Sequence, residues 1–434
     1  MPLSDSTSSS APSDVLPSGL RGYAQLIRQN PNMRNIWLGQ VVSQLGDWFN
    51  TVALLGLLID LTQNPASASW AIVAQILPSA ITGLFISGVV ADRFDRKKIM
   101  ITADIARAII ALSYLLIGDA SLVWIAYAAT AGLSIGGAFF SPAASAALPN
   151  LVSKAELPVA NALWQSTFAS MLLIGAAIGG GVTHLFGRKV AFIMNSLSFL
   201  GSAFFIWRVQ GRFSAVGGKQ LLSGMGTLRV LTEGFRYLKE NRFPRTYALV
   251  KPAFSWVFGA ISLYPAYALT IYNIGDIGTS WLYVGRGLGA FISPLIVAAL
   301  TSLTNLKSLT RSIRLGVFIT IFGYTVFAFS REPIMGMIGT FFGHFGAALV
   351  WTFSKMILQS TTPDYVRGRV LALDDVMMSL VTSGGNIIVG TVASIYAPQT
   401  AALTAVGLSL MGALVWLVAA RGVEPNEMEH RNML

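Results

Sequence analysis

The fold of this chain is decided by the stretch Gly88-Val89-Val90-Ala91-Asp92-Arg93-Phe94-Asp95-Arg96-Lys97-Lys98. An apolar run that begins near residue 69 ends here, and another begins at Ile99. An apolar run of about 20 residues is long enough to cross a bilayer as a helix. The stretch is therefore interpreted as a short charged loop that joins two transmembrane helices on one side of a membrane.

The composition of the chain supports a membrane protein with several spans. Of its 434 residues, 54% are hydrophobic and 11% are charged, whereas about 25% of the residues of a soluble protein are charged. The chain has no cysteine and three histidines, which excludes disulfides and thiolate metal sites and argues against a histidine metal site. No phosphate-binding loop or Ser/His/Asp arrangement is found, so we expect neither an enzyme nor a cofactor.

Twelve apolar spans follow one another along the chain, at 36–60, 69–90, 99–117, 122–141, 161–184, 189–207, 247–272, 279–301, 312–329, 334–355, 372–396 and 401–420. A short internal similarity supports a duplication of six spans, because Pro149 precedes span 5 and Pro363 precedes span 11. We expect an all-α membrane protein of two pseudo-symmetric six-helix bundles. Its parts would be a tail at 1–34, a bundle at 35–207, a linker with a surface helix at 208–246, a second bundle at 247–420 and a tail at 421–434.

The positive charges lie on one side of this layout. Of the 30 Lys and Arg residues, 24 fall in the tails, the linker and the loops on the same side as the N-terminus, and 3 fall in the opposite loops. Basic loops stay in the cytoplasm, so we expect a multi-pass protein of the cytoplasmic (inner) membrane with both termini inside. The net charge of +11 thus reflects membrane topology, and no nucleic-acid partner is expected.

Four ionisable side chains inside the spans are candidates for coupling to protons or substrate: Asp47, Asp104, Arg107 and His344. Asp47 lies about 16 Å into span 1, where an ionised carboxylate costs several kcal/mol, so it would face water, pair with a base or carry a proton. Asp104 and Arg107 can pair on one helix face and form part of a cytoplasmic gate. The alternatives are a structural hydrogen bond for Asp47 and His344, and a static ion pair for the other two.

The charged loop and the start of span 11 predict a cytoplasmic gate. Asp92 can face the positive end of a neighbouring helix, and Asp374 and Asp375 can pair with Arg367, Arg369 or the loop bases. The loop contributes Gly88, Asp92, Arg93, Arg96 and Lys97 to this gate.

The order G-x-x-x-D-R-x-x-R-K in the loop resembles the loop between helices 2 and 3 of the major facilitator superfamily. Other motifs resemble its bacterial macrolide-efflux and enterobactin-exporter branch: Ser43-Gln44-x-Gly46-Asp47, Pro149-x-Leu151-Val152, Ala160-Asn161-Ala162, Gln359 and Pro363-Asp364-x-x-Arg367-Gly368-Arg369. This resemblance implies a proton-coupled exporter of a bulky amphiphilic small molecule that works as a monomer by alternating access. A lipid or lysolipid flippase, an uptake transporter and a non-transporting membrane scaffold are the alternatives.

The resemblance also implies which spans line a central cavity, namely 1, 4, 7 and 10. We expect the cavity side chains to be Gln44, Trp48, Asn50, Phe139, Trp256, Tyr264, Arg286 and Phe341. Arg286 could instead snorkel outward, and Lys251 is expected to snorkel at the inner end of span 7. Gly175, Gly179 and Gly180 in span 5 permit close helix packing, and they resemble the antiporter motif G-P-x-x-G-G with Ala176 in place of its proline.

Overall fold

The computed structural model describes Pro17 and residues 19–211, 224–300 and 306–423, with the backbone alone for Gly88, Val89, Asp92, 224–231, 294, 295 and 297–300. Within these residues the chain forms helices and no strand. The α-helices are α1 Leu20–Gln29, α2 Pro31–Thr62, α3 Ala66–Thr82, α4 Gly88–Arg93, α5 Arg96–Leu112, α6 Val123–Leu151, α7 Leu157–Phe186, α8 Arg188–Arg208, α9 Gly224–Glu240, α10 Arg242–Ala248, α11 Val250–Phe254, α12 Tyr264–Thr270, α13 Gly275–Leu300, α14 Leu306–Phe329, α15 Pro333–Thr361, α16 Asp364–Ile395 and α17 Pro398–Ala419.

Ten helical segments among the described residues are long and apolar enough to cross a membrane by length and composition. They correspond to ten of the predicted spans, and α13 coincides with the span predicted at 279–301. The largest departure is α6, which continues from the predicted end at 141 to Leu151. The prediction of an all-helical membrane protein is confirmed, whereas the number of twelve spans stays a prediction.

The span predicted at 247–272 is not one helix. It consists of α10, α11, a 3-10 helix at Ser255–Leu263 and α12. Pro252 and Pro265 lack the N–H that an uninterrupted α-helix needs at those positions. A Cβ on Gly259 would come within 2.5 Å of the carbonyl oxygen of Gly385, so this narrow segment packs directly against the backbone of α16.

The helix ends lie at two faces of the molecule. One face, here called the linker face, carries the end of α1, the α4–α5 loop, the end of α8 and α9. There the side chain of Asn30 caps α2 by accepting from Met33 N at 3.0 Å and donates to Leu151 O at 2.8 Å. At the opposite face, the hydroxyls of Tyr272 and Ser330 form a hydrogen bond of 2.5 Å. The two faces frame the interior in which the predicted site residues lie.

The two halves, α2–α8 and α10–α17, pack against each other through glycines. A Cβ on Gly180 of α7 would lie 1.8 Å from Ser280 Oγ, and one on Gly287 of α13 would lie 2.7 Å from Leu173 Cα. Small residues allow helix backbones to approach closely in membranes. The α7–α13 contact therefore brings the middle of the two halves together.

Candidate transport site

Three charged side chains meet inside the N-terminal half. Asp104 and Arg107 form the ion pair that their spacing on α5 predicted, and both are buried. The guanidinium carbon of Arg107 lies 4.3 Å from the ring centre of Phe199 and 5.0 Å from that of Phe140. Asp47 on α2 is near enough that the charges of Asp104 and Arg107 both act on its carboxylate. The structure thus groups the predicted gate pair with Asp47.

Among the described residues, no side chain donates a hydrogen bond to the carboxylate of Asp47 or forms an ion pair with it. The side chain is partly accessible although it lies deep among the helices, so it faces an internal space. Asp47 and Asp104 together would carry two negative charges beside the single positive charge of Arg107. An uncompensated buried charge is unfavourable, so this cluster is suited to hold one proton.

Several amide groups near Asp47 also lack partners. Within the described part of the chain, Asn50 Oδ1, Gln40 Oε1 and both amide atoms of Asn195 are buried without a hydrogen bond. Gln44 is half-buried on the same helix as Asp47. Buried polar atoms are normally satisfied by protein or ordered water. These groups therefore offer hydrogen bonds to water or to a bound solute.

The interior of the C-terminal half carries a base. Arg286 lies midway along α13, and its charge acts on Tyr264, Tyr283, Tyr324 and His344. The hydroxyl of Tyr324 lies 3.3 Å from that of Tyr264 and 3.3 Å from Nδ1 of His344. The Nε of Arg286 is buried, so the arginine does not snorkel, and its place in the lining of a cavity stays a prediction. For His344 the structure supplies the interhelical hydrogen bond, and its proton role stays a prediction.

An aromatic contact joins the two halves between these charged groups. The ring of Trp48 on α2 lies edge-on to that of Tyr283 on α13, with ring centres 5.3 Å apart. Trp48 is held there by α7, because a Cβ on Gly175 would lie 2.5 Å from its Cδ1 and one on Gly179 would lie 3.0 Å from its carbonyl oxygen. The predicted packing glycines thus position Trp48, and α7 runs without a break through Ala176.

The other predicted cavity residues have different surroundings. Tyr264 is fully buried, so the expectation that it lines a cavity is wrong, because it packs edge-on against Phe327 at 5.3 Å. Phe139 lines an apolar groove of about 600 Å³ between α5 and α6, whose lining contains no α2 residue. Trp256 is half-buried beside Gly384, and Phe341 is half-buried.

Ion pairs close the opposite face between the halves. Arg188 of α8 donates to Asp276 of α13 through Nε and Nη2, both at 3.0 Å, and to Asp60 of α2 through Nη1 at 2.5 Å. The bidentate geometry adds directional strength to the pair. Gly56 makes room for it, since a Cβ there would lie 2.1 Å from Asp276 Oδ1. Deeper on the same side, Ser69 and Ser262 share a 2.8 Å hydrogen bond across the halves.

At the linker face the loop bases bind within the N-terminal half. Arg96 is buried and donates through Nη1 to Ala146 O at 2.6 Å, while Lys97 Nζ lies 2.7 Å from the carbonyl oxygens of Trp207 and Val209 at the end of α8. A lysine at a helix C-terminus satisfies carbonyls that have no partner in the helix. Arg93 is exposed. The predicted roles of Gly88 and Asp92 fall on side chains outside the described part of the structure.

The predicted pairing across the gate is corrected by the structure. Asp374 pairs with Lys251, and both side chains are buried, so Lys251 does not snorkel. Arg367 pairs with Asp364 at 2.5 Å on its own helix, and Arg369 pairs with Glu233 of α9. Asp375 is exposed. The reason is geometric, because Asp374 lies about 15 Å from the start of α16 and faces α11 rather than the loop bases.

The ion pairs of the opposite face and the partner of Lys251 were not predicted from the sequence. Arg188 is one of three bases in the opposite loops, and Asp60 and Asp276 lie at the ends of apolar spans on that side. A base and two acids at the ends of spans on the same side of the membrane are the sequence pattern from which this contact could have been predicted. Among the described residues, no group of three or more His, Cys, Asp or Glu side chains could hold a metal ion.

The comparisons with known proteins agree with this arrangement. A family model described as transmembrane secretion effector matches residues 23–434. The chain belongs to this family of major facilitator transporters. With this family match and its transporter relatives, the multi-pass membrane protein is a transporter and not an enzyme.

Relatives from several bacteria cover most of the chain. The bacilysin exporter BacE of Bacillus subtilis (strain 168) is 27% identical over 372 residues, which is 83% of this chain and 88% of that protein. Macrolide efflux protein A of Streptococcus pyogenes is 27% identical over 364 residues, 81% of this chain and 87% of its own. The multidrug efflux pump Tap of Mycolicibacterium fortuitum is 24% identical over 363 residues, with 79% and 83% covered.

Solved structures share the fold. A bacterial homolog of the human lysosomal transporter Spinster, in an inward-facing and unoccupied conformation, matches with a TM-score of 0.70 at 13% identity. The match covers 95% of this chain and 99% of that one. At this identity the likeness concerns the fold alone, and it places the chain among major facilitator folds.

Proposed function

We propose that this transporter exports a bulky amphiphilic small molecule across the cytoplasmic membrane in exchange for protons, with the linker face in the cytoplasm. The observation that carries the proposal is the unpartnered carboxylate of Asp47, which faces an internal space beside the Asp104–Arg107 pair. The efflux relatives support the direction of transport. A monomer with a solute, protons and the bilayer as its partners is sufficient for this mechanism.

The proton would act through the charge balance of the N-terminal half. With Asp47 protonated, the cluster of Asp47, Asp104 and Arg107 is neutral and tolerates a dry interior. With Asp47 ionised, the cluster carries a net negative charge and needs water or a solute beside it. Opening to the outside would deliver a proton to Asp47, and opening to the cytoplasm would release it when solute binds.

The ion pairs of the opposite face would control this exchange. Arg188 links Asp60 of the N-terminal half to Asp276 of the C-terminal half, so the outside can open only after the Arg188–Asp276 contact breaks. Trp48, next to Asp47 on α2, and Tyr283 of α13 would form a second closure through the contact of their rings. Rocking of the halves would open these layers while the loop residues Asp92 and Arg93 close the linker face.

The test begins with a panel of amphiphilic solutes, including a macrolide, in everted vesicles with an imposed pH gradient. A solute that accumulates is then measured with Asp47→Asn in proteoliposomes. We expect this variant to lose pH-driven accumulation and to keep solute-for-solute exchange, because asparagine keeps the shape but cannot titrate. Asp119→Asn in an exposed loop is the matched control and should transport normally. Accumulation by Asp47→Asn in response to the gradient would contradict the proposal.

A further inference from the structure

The guanidinium of Arg286 is a charge without a counter-ion in the interior of the C-terminal half. Among the described residues, no carboxylate forms an ion pair with it, and its Nε is buried without a hydrogen bond. The groups on which its charge acts are the hydroxyls of Tyr264, Tyr283 and Tyr324 and the imidazole of His344. A buried charge with no partner is unfavourable by several kcal/mol, and an anionic ligand would compensate it.

The backbone around Arg286 fixes its position. A Cβ on Gly285 would lie 2.3 Å from the carbonyl oxygen of Met337 on α15, and one on Gly287 would lie 2.7 Å from Leu173 Cα on α7. The α13 backbone is thus held against one helix from each half immediately before and after Arg286. The arginine lies eleven residues after Gly275, about 16 Å along the helix axis, and its side chain remains partly accessible. The guanidinium therefore reaches an internal space near the middle of the molecule.

The surroundings of Arg286 are suited to a carboxylate on an aromatic body. The guanidinium carbon lies 5.7 Å from the ring centre of Tyr283, whose ring in turn contacts that of Trp48 at 5.3 Å. Arginine presents a planar fork of donors that matches the two oxygens of a carboxylate. Trp48, which is half-buried beside the ring of Tyr283, offers an apolar face on which the remainder of such a solute can pack.

We propose that Arg286 forms an anion-binding subsite of the transport site, which takes the carboxylate of an amphiphilic solute while Trp48 contacts its apolar part. The inference rests on the proposed function in taking the chain to be a carrier of amphiphiles. It adds the substrate class, namely solutes with a carboxylate, and it assigns recognition of that carboxylate to the half of the molecule that does not hold Asp47.

The test uses dansyl-phenylalanine and dansyl-phenylalanine amide, which share one body and differ by the carboxylate. Binding to the purified full chain in nanodiscs is measured by dansyl fluorescence. We expect the wild type to bind the carboxylate at least tenfold more tightly than the amide, because a charge-assisted hydrogen bond contributes about that much. Arg286→Gln should abolish this preference, Arg286→Lys should retain part of it, and Arg331→Gln in an exposed loop should leave it unchanged.

The outcomes separate this subsite from proton coupling. Wild-type protein that shows no preference for the carboxylate, or no binding of it, overturns the subsite, and so does a preference that survives in Arg286→Gln. Binding in Asp47→Asn should keep the preference, because the two residues lie in different halves. If Asp47→Asn still accumulates solute in response to the pH gradient while the preference follows Arg286, the proposed coupling is wrong and the subsite stands. Monodisperse elution and retained binding of the amide by Arg286→Gln show that this variant is folded.

Discussion

The interiors of the two halves differ in the sign of their unpaired charge. The N-terminal half holds Asp47 beside a complete Asp104–Arg107 pair, so its surplus is acidic. The C-terminal half holds Arg286 among neutral tyrosines and His344, while Lys251 is balanced by a carboxylate. Protons are attracted to the first arrangement and anions to the second. Under the proposals above, the coupling ion and the carboxylate of the solute would bind in different halves of the molecule.

The largest effect is expected at the buried Lys251–Asp374 pair, where Asp374 is the carboxylate that forms the ion pair with Lys251. Asp374→Asn leaves the Lys251 ammonium buried without a counter-charge, and we expect a loss of roughly 3–5 kcal/mol of unfolding free energy. The double variant Lys251→Met with Asp374→Asn should recover most of that loss, because no buried charge remains. Thermal unfolding in detergent measures both. A single variant as stable as the wild type would mean that the two charges do not depend on each other.

A smaller loss is expected from the same change in the N-terminal half. In Asp104→Asn the guanidinium of Arg107 keeps a second carboxylate nearby, that of Asp47, which can take over the compensation. We expect Asp104→Asn to be less destabilised than Asp374→Asn by about 1–2 kcal/mol. The double variant Asp47→Asn with Asp104→Asn removes both carboxylates near Arg107. Its loss of unfolding free energy should exceed the sum of the losses of the two single variants. Asp375→Asn at an exposed position serves as the reference, and equal losses for Asp104→Asn and Asp374→Asn would refute the difference between the halves.

These two ion pairs also show what the sequence could and could not predict. Asp104 and Arg107 are three residues apart on one helix, so their pairing follows from helix geometry. Lys251 and Asp374 are separated by 123 positions and meet only because α11 packs beside α16, which no local pattern reveals. Hydropathy likewise located the spans, since the length of an apolar run is a local property. The 3-10 segment in span 7 was not predicted, because it depends on close packing of Gly259 against α16.

The contact between the halves can be weakened without touching either charge cluster. In Gly56→Ala the new methyl group would lie 2.1 Å from Asp276 Oδ1 and 2.7 Å from Arg188 Nη2, so the ion pair must shift. We expect the opposite face to open more often and a cysteine placed at Ser280 to react several-fold faster with an impermeant maleimide. The chain has no cysteine of its own, so the label reports that site alone. Gly137→Ala, which would meet no atom within 4 Å, is the control, and equal rates for the two variants would argue against the ion pair as a closure.

The smallest effect is expected from the serine pair. Ser69→Ala removes the 2.8 Å hydrogen bond to Ser262, whose hydroxyl keeps its 2.7 Å bond to Gly259 O. Because no group is left unsatisfied, we expect a loss of about 0.5–1.5 kcal/mol in unfolding free energy. Ser379→Ala on a partly exposed part of α16 should reduce the unfolding free energy less. A loss as large as that of Asp374→Asn would show that the contact between the halves, rather than their separate charges, dominates stability.

In the 3-10 helix at Ser255–Leu263, the length of the segment and the rotation between its two ends are linked. Nine residues rise about 18 Å as a 3-10 helix and about 13.5 Å as an α-helix, and they differ in winding by about half a turn. Lys251 lies before this segment and Tyr264 after it, so the two ends of the span are anchored to different clusters. Any rewinding of the segment would therefore turn the charged end of the span relative to its aromatic end and shorten the distance between them by about 4.5 Å.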